Sequence, residues 1–192
     1  GSLLSEFARE RRLYVPIQAV PRQLINAFVA AEDKNFWEHP GVDHEGVLRA
    51  VWNNVRNFGS RRPEGASTIT QQVAKNFLLT NEASMERKIR EALVALRMEQ
   101  VYSKEKILEL YLNEIYLGLG AYGIAAAALQ YFDKSVHELT LPEIAYLAAL
   151  PKAPNNYHPF RHRDRATARR NYVLERRTED GYITAEVAQT AR

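Results

Sequence analysis

The stretch PRQLINAFVAAED, Pro21–Asp33, decides the class of this chain. Pro21 suits a first helical turn, where its missing N–H is not needed and its fixed φ is already helical. Leu24, Ile25, Phe28 and Val29 then recur at the period of one helix face. Ile25, Phe28, Val29 and Glu32 fall at i, i+3, i+4 and i+7, so the Glu32 carboxylate extends an apolar stripe instead of facing water. Desolvation disfavours the charged form of a carboxylate and makes it more basic. That is the tuning a general base or acid needs near neutral pH. The same position also fits an ordinary carboxylate at a helix end, beside Asp33 and Lys34, and the residues alone leave both open.

Working outward, the helical pattern repeats. Residues 3 to 20 read as an extended lead-in, with Val15, Pro16 and Val20 against helix. His39-Pro40-Gly41 breaks the chain. Asp43 is a candidate N-cap for a helix through Phe58. A loop over residues 59–65 carries Arg61, Arg62 and Pro63. Thr68 with Gln71 fits a capping box for a third helix. A fourth starts near Ser84 and runs to about Gln100, and Ser103 caps a fifth that ends at Gly118. Residues 121–132 are rich in Ala. Thr140 with Glu143 is a second capping box, ahead of Ile144 to Leu150, where Pro151 and Pro154 stop the helix. Asp164 to Glu179 and Thr184 onward give two more helical segments. Period-2 alternation is almost absent, so the class is mainly α.

Composition bounds the rest. The 192 residues fit one domain, or one domain with a small lobe. With 46% hydrophobic residues the chain can bury a core. A net charge of +3 is too small to argue for nucleic acid, though it suits anionic partners such as phosphates or an acidic membrane face. The absence of cysteine excludes a disulfide scaffold and a Cys-based zinc site. No run of 18 apolar residues would cross a membrane, and no signal peptide is visible. Gly1-Ser2 and the featureless ends read as a domain excised from a longer protein.

Three further segments carry potential chemistry. Gly65-Ala66-Ser67-Thr68-Ile69-Thr70-Gln71-Gln72-Val73-Ala74-Lys75-Asn76 feeds a Gly-containing loop into a helix N-terminus. Free backbone N–H groups and the helix dipole favour an anion there. Thr68, Gln71, Gln72 and Lys75 lie at spacings of three and four, which places them on one polar face. An ordinary capped amphipathic helix fits the same pattern. In Arg87-Lys88-Ile89-Arg90-Glu91, Arg87 and Glu91 are one turn apart. They fit a surface ion pair, or a second acid held among cations that would attract a diphosphate. Leu112-Asn113-Glu114-Ile115-Tyr116-Leu117-Gly118 offers Asn113 and Tyr116 to a sugar or phosphate, or Tyr116 to the core.

Together with Glu32-Asp33-Lys34-Asn35-Phe36-Trp37-Glu38-His39-Pro40-Gly41 and Leu150-Pro151-Lys152-Ala153-Pro154, these segments resemble the peptidoglycan glycosyltransferases of glycosyltransferase family 51. That family forms the polymerising domain of class A penicillin-binding proteins and also occurs as monofunctional enzymes. Five motifs in order, over roughly residues 5 to 185, are far more specific than a lone short pattern.

The resemblance implies a lysozyme-like, mainly α fold in a single glycosyltransferase domain over residues 1–192. A smaller membrane-facing lobe would lie within it, at about 43–66. The implied substrates are lipid II, an undecaprenyl-diphosphate-linked disaccharide pentapeptide, and the growing lipid-linked glycan chain. The implied place is the periplasmic or extracytoplasmic face of the bacterial inner membrane, with the anchor outside this chain. Other cell-wall synthesis proteins are implied partners, and nucleic acid is not. Glu32 matches the general base and Glu91 the second essential acid. Ser67, Thr68, Gln72, Lys75, Arg87, Lys88 and Tyr116 match or adjoin positions that bind substrate. No organic cofactor is implied; a divalent cation, Mg or Mn, would meet Glu91 through the diphosphate. Three positions depart from the family pattern: Ala66 for a frequent Gly, Lys34 for a frequent Arg, and Ala83 for a frequent cation.

Within residues 44–64, Val47, Val51, Trp52, Val55 and Phe58 with Arg49, Arg56, Arg61 and Arg62 form an amphipathic basic unit. It suits a membrane interface or packing on its own domain. Two rival functions share the scaffold: a glycan hydrolase, which needs no diphosphate site, and a non-catalytic module. A transpeptidase is unsupported, since Ser103-Lys104-Glu105-Lys106 has no Ser-x-Asn or Lys-Thr-Gly partner.

Overall fold

The computed structural model describes residues 13–58, 66–78, 84–152 and 170. These residues form seven α-helices: α1 Arg22–Glu32, α2 His44–Arg56, α3 Ile69–Phe77, α4 Met85–Val101, α5 Lys104–Glu114, α6 Ile124–Phe132 and α7 Leu141–Ala149. Short 3-10 turns lie at Ile17–Ala19 and Leu150–Lys152. The one β feature among the described residues is an isolated bridge between Tyr116 and Tyr122. The expected helices over residues 164–179 and from residue 184, and the loop with Arg61 and Arg62, lie outside the described residues, apart from residue 170.

The helix starts follow side-chain chemistry. Asp43 Oδ1 accepts from Gly46 N at 3.1 Å, and Ser84 Oγ from Arg87 N at 3.2 Å. Thr68 and Gln71 close a reciprocal capping box, as do Thr140 and Glu143. Each device satisfies N–H groups that a helix start leaves without partners.

The chain divides into two compact units, residues 1–34 with 109–192 and residues 35–108. In the first, α1 packs chiefly against α7, and α7 against α6. Leu24, Phe28, Leu112, Ile124 and Leu147 are fully buried there. The lead-in is not extended throughout, because residues 17–19 close a 3-10 turn in which Ala19 N donates to Pro16 O at 2.9 Å. It is held by α5: Val15 N donates to Asn113 Oδ1 and Asn113 Nδ2 to Val15 O, both at 2.8 Å. Ile17 N donates to Glu109 Oε2 at 2.9 Å.

The helix expected to reach Gly118 stops at Glu114. Gly118, Leu119 and Gly120 all adopt positive φ, and Leu117 N donates to Ala121 O at 2.9 Å. Gly123 N donates to Ile115 O at 2.7 Å. The carbonyl of Ile115 is thus taken by a turn-back of the chain, not by a further helical residue.

In the second unit α3 packs on α4. Its core includes Phe36, Ile69, Val73, Ala95 and Ile107. Helix α2 buries only Gly46 and Ala50. Its residues Val47, Leu48, Val51, Trp52 and Val55, and Phe58 beyond its end, are exposed. The segment 43–66 falls within this unit.

Candidate active site

Helix α1 delivers Glu32 as its last residue. The side chain is half-buried, with its Oε1 atom sealed from solvent. The apolar stripe below it is real: Leu24, Phe28 and Val29 are buried, as are Ala27, Ala30 and Ala31. A carboxylate is therefore carried on the edge of a dry helix face, and Asp33 beside it is buried as well. Behind both lies Tyr111 of α5, whose ring meets Phe28 edge-on at 6.2 Å. Burial, and then the negative charges of Glu32 and Asp33, push the Tyr111 hydroxyl well above its usual range. Tyr111 drew no attention in the sequence, because Ile107, Leu108, Tyr111 and Leu112 read together as one apolar helix stripe.

The second unit carries a buried carboxylate paired with a lysine. Lys88 Nζ donates to Ser67 Oγ at 3.0 Å and to Glu91 Oε1 at 3.1 Å. Glu91 is only 1% exposed, and its Oε2 has no hydrogen-bond partner. This overturns the surface ion-pair option for residue 91: the carboxylate is in the core, and the lysine that pairs with it lies at i+3 spacing. Ser67 immediately precedes the N-cap of α3, so the ammonium group stands beside a helix N-terminus. Both features favour an anion. An ammonium has three N–H donors, and two are accounted for here. Arg87, one residue before Lys88, is half-buried with its Nε inside.

The expected polar face of α3 is divided. Thr68, Thr70 and Gln71 are buried, Gln72 is half-buried and Lys75 is exposed. Thr68 Oγ1 accepts from Gln71 N at 3.0 Å and donates to Gly41 O at 2.7 Å. Gln71 returns its own oxygen to Thr68 N at 2.9 Å. Thr68 and Gln71 thus anchor the start of the helix, and Gln72 and Lys75 are what it presents outward.

The loop of residues 35–41 is locked by groups whose pairing no local pattern signals. Lys104 Nζ donates to His39 O at 2.6 Å and to Glu99 Oε1 at 2.7 Å, and lies 4.6 Å from the Phe36 ring centroid. Thr70 Oγ1 donates to the same Glu99 oxygen at 2.8 Å. Gly41, at φ +115°, leaves no room for a side chain: a Cβ there would stand 2.8 Å from the Ala95 carbonyl oxygen.

In the first unit, Asn113 spends its amide on Val15 and on Glu109 O, so the sugar contact considered for it is taken up by the fold. Tyr116 is exposed and lies against Tyr122 in the turn-back after α5, with ring centroids 4.9 Å apart and the planes tilted by 43°.

Among the described residues no group of three His, Cys, Asp or Glu could hold a metal ion.

The family described as Transglycosylase matches residues 1–178. The chain belongs to this family. The chain is 58% identical to penicillin-binding protein 1A of Rickettsia felis over 192 residues, covering 100% of this chain and 24% of that protein. It is 49% identical to penicillin-binding protein 1A of Escherichia coli over 186 residues, 97% of this chain and 22% of that one. The chain therefore spans about a quarter of the length of these relatives. A crystal structure of penicillin-binding protein 1A from Haemophilus influenzae matches with a TM-score of 0.54 at 31% identity, over 93% of this chain and 17% of that one. The mainly α, lysozyme-like class and the family expected from the five motifs both stand.

Proposed function

We propose that this domain polymerises lipid II into β-1,4 glycan strands, releasing undecaprenyl diphosphate by inverting transfer. The observation that carries the proposal is Lys88, held at the head of α3 by a carboxylate buried in the core. A diphosphate leaves only if its developing charge is neutralised. A cation fixed in place, with a helix N-terminus beside it, does this without reorganising. Lys75 adds a second, exposed charge, and Gln72 a neutral donor.

Glu32 acts as general base. Its carboxylate takes the proton of the acceptor sugar's 4-hydroxyl as that oxygen bonds to the donor's anomeric carbon. The bond from that carbon to the diphosphate oxygen breaks, and the leaving group keeps the electron pair. A half-buried carboxylate with one oxygen sealed from water is suited to this work. Glu91 holds Lys88 and leaves Oε2 for any Mg or Mn ion carried by the diphosphate.

Helix α2 supports a membrane partner. Its exposed apolar residues sit with Arg49 and Arg56 on one helix, which suits the interface of an anionic bilayer. In this reading the domain works on the outer face of the inner membrane, where its lipid-linked substrate is embedded.

The test offers the chain lipid II and, separately, finished glycan. Consumption of lipid II with growth of polymer is expected. Shortening of glycan with lipid II untouched would instead indicate a hydrolase.

A further inference from the structure

The Tyr111 hydroxyl is an anomaly of the first unit. It is buried and has no hydrogen-bond partner. Such a group is a liability: a buried donor left unmade weakens the fold, and Phe in its place would fill the same space. Its surroundings suggest why it is there. The ring meets Phe28 edge-on at 6.2 Å. Phe28 and Glu32 lie one turn apart on the same face of α1. A tyrosine oxygen stands roughly 2.8 Å beyond its ring centre, and a hydrogen bond of about 2.7 Å from it completes about the 5.4 Å of one helical turn. The Glu32 oxygen Oε1 is sealed from solvent, and the Glu32 charge is felt at the Tyr111 hydroxyl.

We propose that Tyr111 is a positioning residue for Glu32. Its hydroxyl donates to the buried carboxylate oxygen as substrate binds, fixing the side chain so that the other oxygen meets the acceptor hydroxyl. The inference rests on Glu32 being the general base. The hydroxyl remains a donor throughout, because burial and the charges of Glu32 and Asp33 keep its proton on. It never takes part in the transfer itself; it selects one orientation of the base.

The experiment is steady-state polymerisation of lipid II, with thermal melting, by the parent chain, Tyr111→Phe, Glu32→Gln and the double variant. Tyr111→Phe is expected to melt at or above the parent, with kcat about tenfold lower and KM unchanged, the size of one hydrogen bond to a charged group. In the Glu32→Gln background the same change should cost nothing further, because the two residues act as a unit. An unchanged kcat, a loss confined to KM, or full additivity in the double variant overturns the proposal. If Glu32→Gln is inactive while Tyr111→Phe is normal, only the positioning role fails. If Glu32→Gln is itself fully active, the base assignment fails and the positioning role with it. Should Tyr111→Phe not fold, 3-fluorotyrosine placed at position 111 decides: it keeps the ring and hydroxyl but alters the donor, so an altered kcat at unchanged KM supports the proposal and an unchanged kcat overturns it.

Discussion

Replacing Lys88 with Met keeps the length of the side chain and removes its charge, which leaves Glu91 as a buried carboxylate without its cation. The geometry sets the size of the effect. At 3.1 Å and an effective dielectric constant of about 20, the gross attraction is about 5 kcal/mol. Lys88 is 52% exposed, so water screens much of that, whereas Glu91 is 1% exposed and cannot recover its hydration. The net loss should resemble that of a charge-assisted hydrogen bond, about 2 kcal/mol. For a chain of this length that lowers the melting temperature by roughly 4–8 °C. Adding Glu91→Gln removes the stranded charge, so the Lys88→Met/Glu91→Gln variant should regain most of the loss. Neither variant should polymerise lipid II at more than about a hundredth of the parent rate, since both lack the fixed cation on the leaving group. Melting followed by circular dichroism, with a parallel polymerisation assay, separates folding from chemistry. A Lys88→Met variant that melts with the parent, or a double variant less stable than the single, would refute the dependence of Glu91 on this lysine.

Gly123→Ala should be severely destabilising, because the residue sits at φ +84° and a Cβ would stand 2.4 Å from the Asn113 carbonyl oxygen. A loss of about 3 kcal/mol is expected, seen as a melting temperature lower by roughly 6–12 °C. The Trp52→Asp/Phe58→Asp variant alters residues that are 66% and 94% exposed, so its stability should stay within about 0.5 kcal/mol of the parent. Its flotation with anionic phospholipid vesicles should be lost, and unchanged flotation would remove α2 from the interface. Desolvation works against the charged form of Glu143, but the hydrogen bond from Lys134, with those of Thr140, outweighs it and lowers the pKa of the carboxyl. A depressed folded value means stability present above the unfolded pKa of about 4.3 and lost as pH falls through the folded one. Glu143→Gln should therefore melt below the parent at pH 7, and the gap should close once pH drops beneath both values.

The helix starts were legible in the sequence because capping is local. Asp43, Thr68, Ser84 and Thr140 each satisfy backbone groups within three residues, so pattern alone locates them. The end of α5 was not, because it depends on residues 117–123 folding back, with Gly123 pressed on the Asn113 carbonyl. The stripe leading to Glu32 could be read from its period. The burial of Glu91 could not, since i+3 and i+4 spacings on α4 look the same whether the face meets water or α3. Thr70, Glu99 and Lys104 are far apart in the chain and converge only through packing. Tyr111 was hidden for the opposite reason: an aromatic residue on an apolar stripe looks like core, and its oxygen matters only because of what lies beside it.

The most direct test is the rate of lipid II polymerisation by a folded Glu32→Gln variant. Gln keeps the shape of the side chain and cannot accept the acceptor's proton. The general-base assignment predicts a fall of at least a hundredfold at unchanged melting temperature. A variant that polymerises at the parent rate would contradict it.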